Sequence, residues 1–299
     1  MLLSYADSSV EDTHVINDEA TPLIGVVVVI FNRRCSESVS FVKMLQISPT
    51  VLLLIDNSTE AEIIEYNRQY CLQQNCGYYS MGSNAGLSKA YNTGVRLIGD
   101  RTEYLMLLDD DTVVPDDVIR KLGVSVQETP DADVFIPFIT DQNSLLSPNR
   151  RVSSLFFRLR KRPDVFSSQM SAINSGLVIR LRPGESQGPY FDEEQFLDCI
   201  DHLFVFQQLA RGAKFQLYAA EFQQTFFDGM TVNQKDRKEQ NDQKEKTCTR
   251  FRQFVKDYRY FYTACSLNRW IAELYLLFRA SKLNMRYRTT CFLTLLQKA

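Results

Sequence analysis

Hydrophobic and polar positions come in alternating blocks along the first half of the chain. Leu23 to Phe31, LIGVVVVIF, is an almost unbroken β-branched run. A strand without a polar face belongs in the middle of a sheet covered on both sides. SESVSFVKMLQ then predicts a helix, and Val51 to Asn57, VLLLIDN, a second buried strand. Glu60 to Gln74 predicts a polar helix, and a short strand falls near Tyr78. GSNAGLSKAYNTGVRLI leads into the strand EYLMLL. Pro115 opens a further helix, with Asp116 and Asp117 in its first turn, where acids suit the helix dipole. This alternation predicts right-handed βαβ crossovers and a mostly parallel sheet between helices, an α/β fold.

The pattern changes after Asp133. VFIPFI and AINSGLVIR are further strands. Between them NRRVSSLFFRLRKRPDVF is basic and aromatic without clean periodicity, and reads as a lid or a solvated loop from Arg150 to Arg162. EEQFLDCIDHLFVFQQLARGA predicts a helix stopped near Gly212, and KFQLYAA a strand. Asp236 to Lys246, a run of charges, predicts a solvated loop or linker. The expected organisation is a polar extension over 1–20, a catalytic domain over 21–235, and a charged linker with basic amphipathic helices over 236–299.

Composition narrows the class. The 299 residues are 44% hydrophobic and 23% charged, as in an ordinary globular protein. A net charge of -2 argues against nucleic acid as partner. Seven cysteines without zinc spacing point to a reduced, cytosolic protein. No apolar run reaches the roughly 18 to 20 residues of a spanning helix, and the acidic N-terminus does not read as a signal peptide.

Ligands of parallel sheets bind beyond the carboxyl ends of the strands. Three such ends carry polar groups: FNRR, DNS and DDD. The last is the most telling, because Asp109, Asp110 and Asp111 repel one another and do nothing for a core. A divalent cation, Mn²⁺ or Mg²⁺, shared with substrate phosphates would cancel them. Side chains alternate along an extended chain, so Asp109 and Asp111 point one way and Asp110 another.

Taken in order, VVVVIFNRR, LLLIDNS, GSNAGLSKAYNTG, YLMLLDDDTVVPDD, NSGLVIR and FDEEQFLDCIDHLF resemble glycosyltransferase family 2 over Leu23 to Gly229. The branch that adds rhamnose, galactose or galactofuranose to bacterial surface polysaccharides is the most similar. The resemblance implies a GT-A fold with a C-terminal helical extension, inversion at the anomeric carbon, and a nucleotide-sugar donor carrying UDP or dTDP. It implies roles residue by residue. Asp111 would contact the metal, Asp109 the metal or the ribose, and Asp110 belongs to the same donor motif. Asp56 would hydrogen-bond the base with Asn57 beside it. Phe31, Asn32 and Arg33 would wrap base and ribose, and Asn84, Gly86 and Lys89 would close over the nucleotide. Asn174, Ser175 and Gly176 would flank the acceptor. Asp201 would be the base that deprotonates the acceptor hydroxyl, with Asp198 as second candidate.

The sequence departs from the family at three places. Leu203 stands where a second acid is common, Gln207 where an arginine follows, and Phe226 and Phe227 where a metal-binding histidine is usual. Asp228 is the nearby carboxylate that could take the histidine's place. From Arg250 onward ten lysines and arginines face two acids, Asp257 and Glu273, among many aromatics. Such helices either lie in a membrane interface or pack on the catalytic domain, and the two are compatible. A glycan or lipid-linked saccharide acceptor fits a cytoplasmic enzyme peripheral on the inner face of the membrane. Two other classes share some of these features: a nucleotidyltransferase, which would need glycines after the first strand, and a non-catalytic nucleotide-sugar-binding module.

Overall fold

The computed structural model describes residues 22–142, 144–182, 189–224 and 237–298. In chain order its elements are β1 Ile24–Ile30, α1 Val39–Ile47, β2 Val51–Asp56, α2 Ala61–Gln73, β3 Gly77–Ser80, α3 Leu87–Ile98, β4 Tyr104–Asp109 and α4 Val118–Glu128. There follow β5 Val134–Asp141, β6 Ser144–Ser147, β7 Asn149–Val152, β8 Leu155–Arg158, β9 Met170–Ser171, β10 Val178–Arg180, α5 Ile200–Ala210 and β11 Phe215–Gln223. Three helices end the chain, α6 Arg237–Ala264, α7 Arg269–Tyr287 and α8 Cys291–Lys298.

The main sheet has the order β11-β5-β10-β4-β1-β2-β3, with β6 on β5. β4, β1, β2 and β3 are parallel, and β10 runs antiparallel between β4 and β5. β1 lies at the centre and shows why its run is apolar on both faces. Val26, Val28 and Ile30 join a core with Phe41, Met44, Val118 and Leu122 of α1 and α4. Val27 and Val29 join the opposite core, with Tyr91 and Val95 of α3 and Phe204 of α5. The structure is thus the mixed α/β sandwich that the blocks predict, with C-terminal helices added.

Four local expectations need correction. α4 begins at Val118, so Asp116 and Asp117 lie in the turn before it, where Lys43 and the pair Arg120 and Lys121 neutralise them. The Arg150 to Arg162 segment is not a loop throughout: β7, β8 and β9 form a small antiparallel sheet. Its strands are too short for two-residue periodicity to register. The charged run expected as a linker is helical from Arg237, as the first turns of α6. Abundant Lys, Glu and Gln are good helix formers even without an apolar stripe. The helix expected around Asp198 starts only at Ile200, after Cys199 in a left-handed conformation with φ 60°.

α6, α7 and α8 enclose a third core of Phe251, Val255, Phe261, Leu276 and Phe292, and Leu203 of α5 is part of it. Leucine at 203, where an acid is common in the family, is therefore explained by packing: a carboxylate there would be buried among aromatics without a partner.

Candidate active site

The carboxyl ends of β1, β2 and β4 open into one cavity of about 1010 Å³. Phe31, Asn32 and Arg33 line it. Asn32 is left-handed (φ 45°), its N–H donates to Ser58 Oγ at 2.8 Å, and its Oδ1 accepts from Thr59 N at 2.8 Å. The loops after β1 and β2 are thereby tied together. Asn57 lines the cavity, donates to Asn84 Oδ1 at 3.1 Å and accepts the Ala85 N–H at 2.8 Å.

Asp56 does not reach the cavity. It is fully buried, and its carboxylate accepts from Ser58 N at 3.0 Å, Asn67 Nδ2 at 2.9 Å and Tyr78 Oη at 3.0 Å. With its oxygens engaged by the protein, it braces the loop, and Asn57 is the residue of the pair that lines the cavity. Lys89 is exposed on α3 and is likewise not among the lining residues. Gly86 is, with φ +91°. A side chain there would meet the Phe196 ring at 2.8 Å and its carbonyl at 3.0 Å, so glycine is required.

The three aspartates sit at the end of β4. Ser40 Oγ donates to the Asp109 carbonyl at 2.6 Å and Ser38 Oγ to that of Asp110 at 2.8 Å, which fixes the backbone from the start of α1. Tyr91 Oη donates to Asp109 Oδ1 at 2.8 Å. Gln224 Nε2 lies 3.3 Å from both Asp109 Oδ2 and Asp111 Oδ1, so these two carboxylates face one spot. Asp110 turns instead to Arg33, at 3.2 Å. Burial pushes the pKa of Asp109 up to about 6; Tyr91 opposes the shift and the neighbouring aspartates add to it. Burial also raises Asp110 to about 6, with Arg33 pulling the other way. Gln224 Oε1 is buried and has no partner.

Asp201 lines the same cavity from the first turn of α5. Its carboxylate accepts the His202 N–H at 2.8 Å and meets no lysine or arginine among the described residues. Asp198 differs: Arg250 forks onto both its oxygens, Nη2 to Oδ1 at 2.7 Å. The two candidates thus differ in surroundings: an arginine holds Asp198 and none holds Asp201 among the described residues. His202 bonds Ser171 Oγ at 2.7 Å and stacks on Phe156 with ring centroids 3.5 Å apart. Burial lowers its pKa, consistent with a neutral packing residue.

Of the three residues expected at the acceptor, only Asn174 lines the cavity. Ser175 is fully buried and bonds Thr112 Oγ1 and the Asp109 N–H. Gly176, at φ +79°, packs against Phe222, where a side chain would clash at 2.7 Å. Both hold the aspartate strand in place. Sequence reasoning missed Tyr91, Gln224, Asn149, Ser154 and the residues that α6 and α7 contribute, among them Tyr258 and Arg279. Asn149, Ser154 and Asn174 line the cavity, and their Oδ1, Oγ and Oδ1 atoms are buried without partners. Only Tyr91 left a signal, four residues after Leu87 on α3. Asp228 lies outside the described residues.

No curated protein matches the chain at a significant level. Among solved structures, S. aureus TarS is similar at 16% identity and TM-score 0.47, covering 68% of this chain and 36% of that one. TarS 1-349 in complex with UDP and with UDP-GlcNAc is similar at 14% identity and TM-score 0.47. Those two cover 78% of this chain, and 64% and 66% of theirs. The chain thus spans between about a third and two thirds of the TarS chains. The family described as glycosyl transferase family 2 matches residues 25–208, which include β1, the three aspartates and Asp201. With more than half its length matched, and with that family's α/β sandwich in place, the chain belongs to glycosyltransferase family 2 and has the GT-A fold.

Proposed function

We propose that the chain is an inverting glycosyltransferase that moves a sugar from a UDP or dTDP donor to a glycan or lipid-linked glycan, in bacterial cell-surface polysaccharide synthesis. One observation carries the reading. A single cavity is lined by the loops after β1 and β2, by Asp109 to Asp111, and by the unclamped Asp201. Asn57 and Phe31 to Arg33 would take the nucleoside. Asp201 would accept the proton of the acceptor hydroxyl as its oxygen attacks the anomeric carbon, while the nucleoside diphosphate departs from the opposite face. Asn149, Ser154 and Asn174, which line the cavity, would offer it polar side chains for sugar hydroxyls.

The site suits a divalent cation of the Mn²⁺ or Mg²⁺ class. Among the described residues no three His, Cys, Asp or Glu cluster as ligands. Asp109 and Asp111 nevertheless face one spot beside the orphaned Gln224 oxygen. Two carboxylates, an amide oxygen and substrate phosphates are the hard oxygen donors such ions take. When bound, the ion would neutralise charge on the departing diphosphate. Asp228 is a further candidate ligand.

Asp201→Asn tests the assignment of the base. It should lower kcat by about 10²- to 10⁴-fold and leave donor affinity within about twofold. Turnover retained in Asp201→Asn and lost in Asp198→Asn would reverse the two roles.

A further inference from the structure

We infer that the outward face of α7 docks on an anionic membrane surface. Ala272, Leu276 and Ala280 point into the third core. On the opposite side Trp270, Leu274, Leu277, Phe278 and Met285 recur at helical spacing and form one apolar stripe. They stand in solvent: Trp270 is 82% exposed, Met285 74% and Phe278 69%. A soluble surface rarely gathers five large apolar side chains on one helix face without a partner.

Charge selects the partner. Along one border of the stripe run Arg279, Lys282 and Arg286. The one acid of α7, Glu273, is engaged by Arg259 at 2.9 Å and by Tyr262 at 2.7 Å. The border is therefore of a single sign. A second copy of the chain would bring the same cations against these, whereas an anionic lipid leaflet complements them. An apolar stripe flanked by arginine and lysine is the form of helix that lies in the interface plane. No helix among the described residues is long and apolar enough to cross a membrane.

The same helix reaches the active site. Tyr275 and Arg279 line the cavity, and Arg279 sits over the Phe254 ring at 3.9 Å. The stripe and the cavity share the basic border of α7, so a docked enzyme holds its cavity beside the lipid headgroups. Docking stands on the surface of α7 alone. Only its consequence, a lipid-borne acceptor, rests on the transferase reading.

Trp270 is the chain's only tryptophan and reports directly on docking. The full chain is mixed with phosphatidylcholine vesicles, and with vesicles containing 30% phosphatidylglycerol, and its fluorescence is read. Docking predicts a blue shift and quenching by brominated acyl chains with the anionic vesicles, and at least about tenfold weaker binding to the neutral ones. Leu274→Glu/Phe278→Glu should abolish binding while circular dichroism and Tm hold. No shift with anionic vesicles overturns the inference. So does a blue shift that grows with protein concentration in the absence of vesicles, which would assign the stripe to a second copy. Titrating the same samples with UDP separates the two ideas: nucleotide binding without vesicle binding sinks only the docking, and the converse sinks only the transferase reading.

Discussion

Asp109, Asp110 and Asp111 show how the fold accommodates like charges on adjacent residues. Asp110 is offset by Arg33, while Tyr91 and Gln224 donate to the other two. The remaining repulsion is what a cation and a diphosphate would relieve. Nearby, Gly86 combines a left-handed backbone with contact on Phe196. Gly86→Ala should destabilise the protein by about 1–3 kcal/mol in urea denaturation and weaken nucleotide binding; unchanged stability would show that Phe196 moves aside freely. The aspartates were legible because acids at the end of an apolar strand break the pattern. The burial of Asp56 was not, because its donors, Ser58, Asn67 and Tyr78, come from three separate parts of the fold. Nor was the division between Asp198 and Asp201, which depends on Arg250, 52 residues further on.

At the scale of elements, strands β1, β2 and β4 announce themselves because both faces are buried, leaving no polar position to blur the run. β7 and β8 do not, being four residues each and exposing Arg150, Val152, Phe157 and Arg158. α6 hides its start in charges, yet its middle is structurally decisive. Asp257, fully buried on α6, accepts the N–H groups of Phe196 at 3.2 Å, Leu197 at 3.0 Å and Asp198 at 2.9 Å. The loop that leads into α5 is thus fastened by a helix beyond the residues that the family match covers. α6 and α7 are joined in turn by Arg259 and Glu273. The hydrogen bonds from Arg259 hold the Glu273 carboxyl below its ordinary 4.5. A depressed carboxylate stabilises above its unfolded pKa and loses that contribution as pH falls through the folded value. Glu273→Gln should therefore lower Tm at pH 7, and the gap should close as pH falls below 4.5 and through the depressed folded value. A constant Tm gap across that range would show that the pair's charge is irrelevant.

At the scale of the whole molecule, one cavity gathers the strand ends of the parallel sheet, Asp201 and the C-terminal helices. The parallel sheet supplies one wall through the carboxyl ends of its strands, where ligands of α/β sheets bind. The other side is built from the small β7–β8–β9 sheet and the C-terminal helices, whose lining residues include Tyr258 and Arg279. That second wall was illegible in the sequence beyond its basic, aromatic character, because it forms only when segments about a hundred residues apart meet. On the proposed function, the aspartates at the end of β4 hold a nucleoside diphosphate through a divalent ion. Calorimetric titration of UDP and dTDP, with and without Mn²⁺, into wild type and Asp111→Ala tests it most directly. The account predicts Mn²⁺-dependent binding of at least one nucleotide, weakened at least about tenfold in Asp111→Ala. No binding of either nucleotide with Mn²⁺ present, or binding that ignores both metal and substitution, would contradict it.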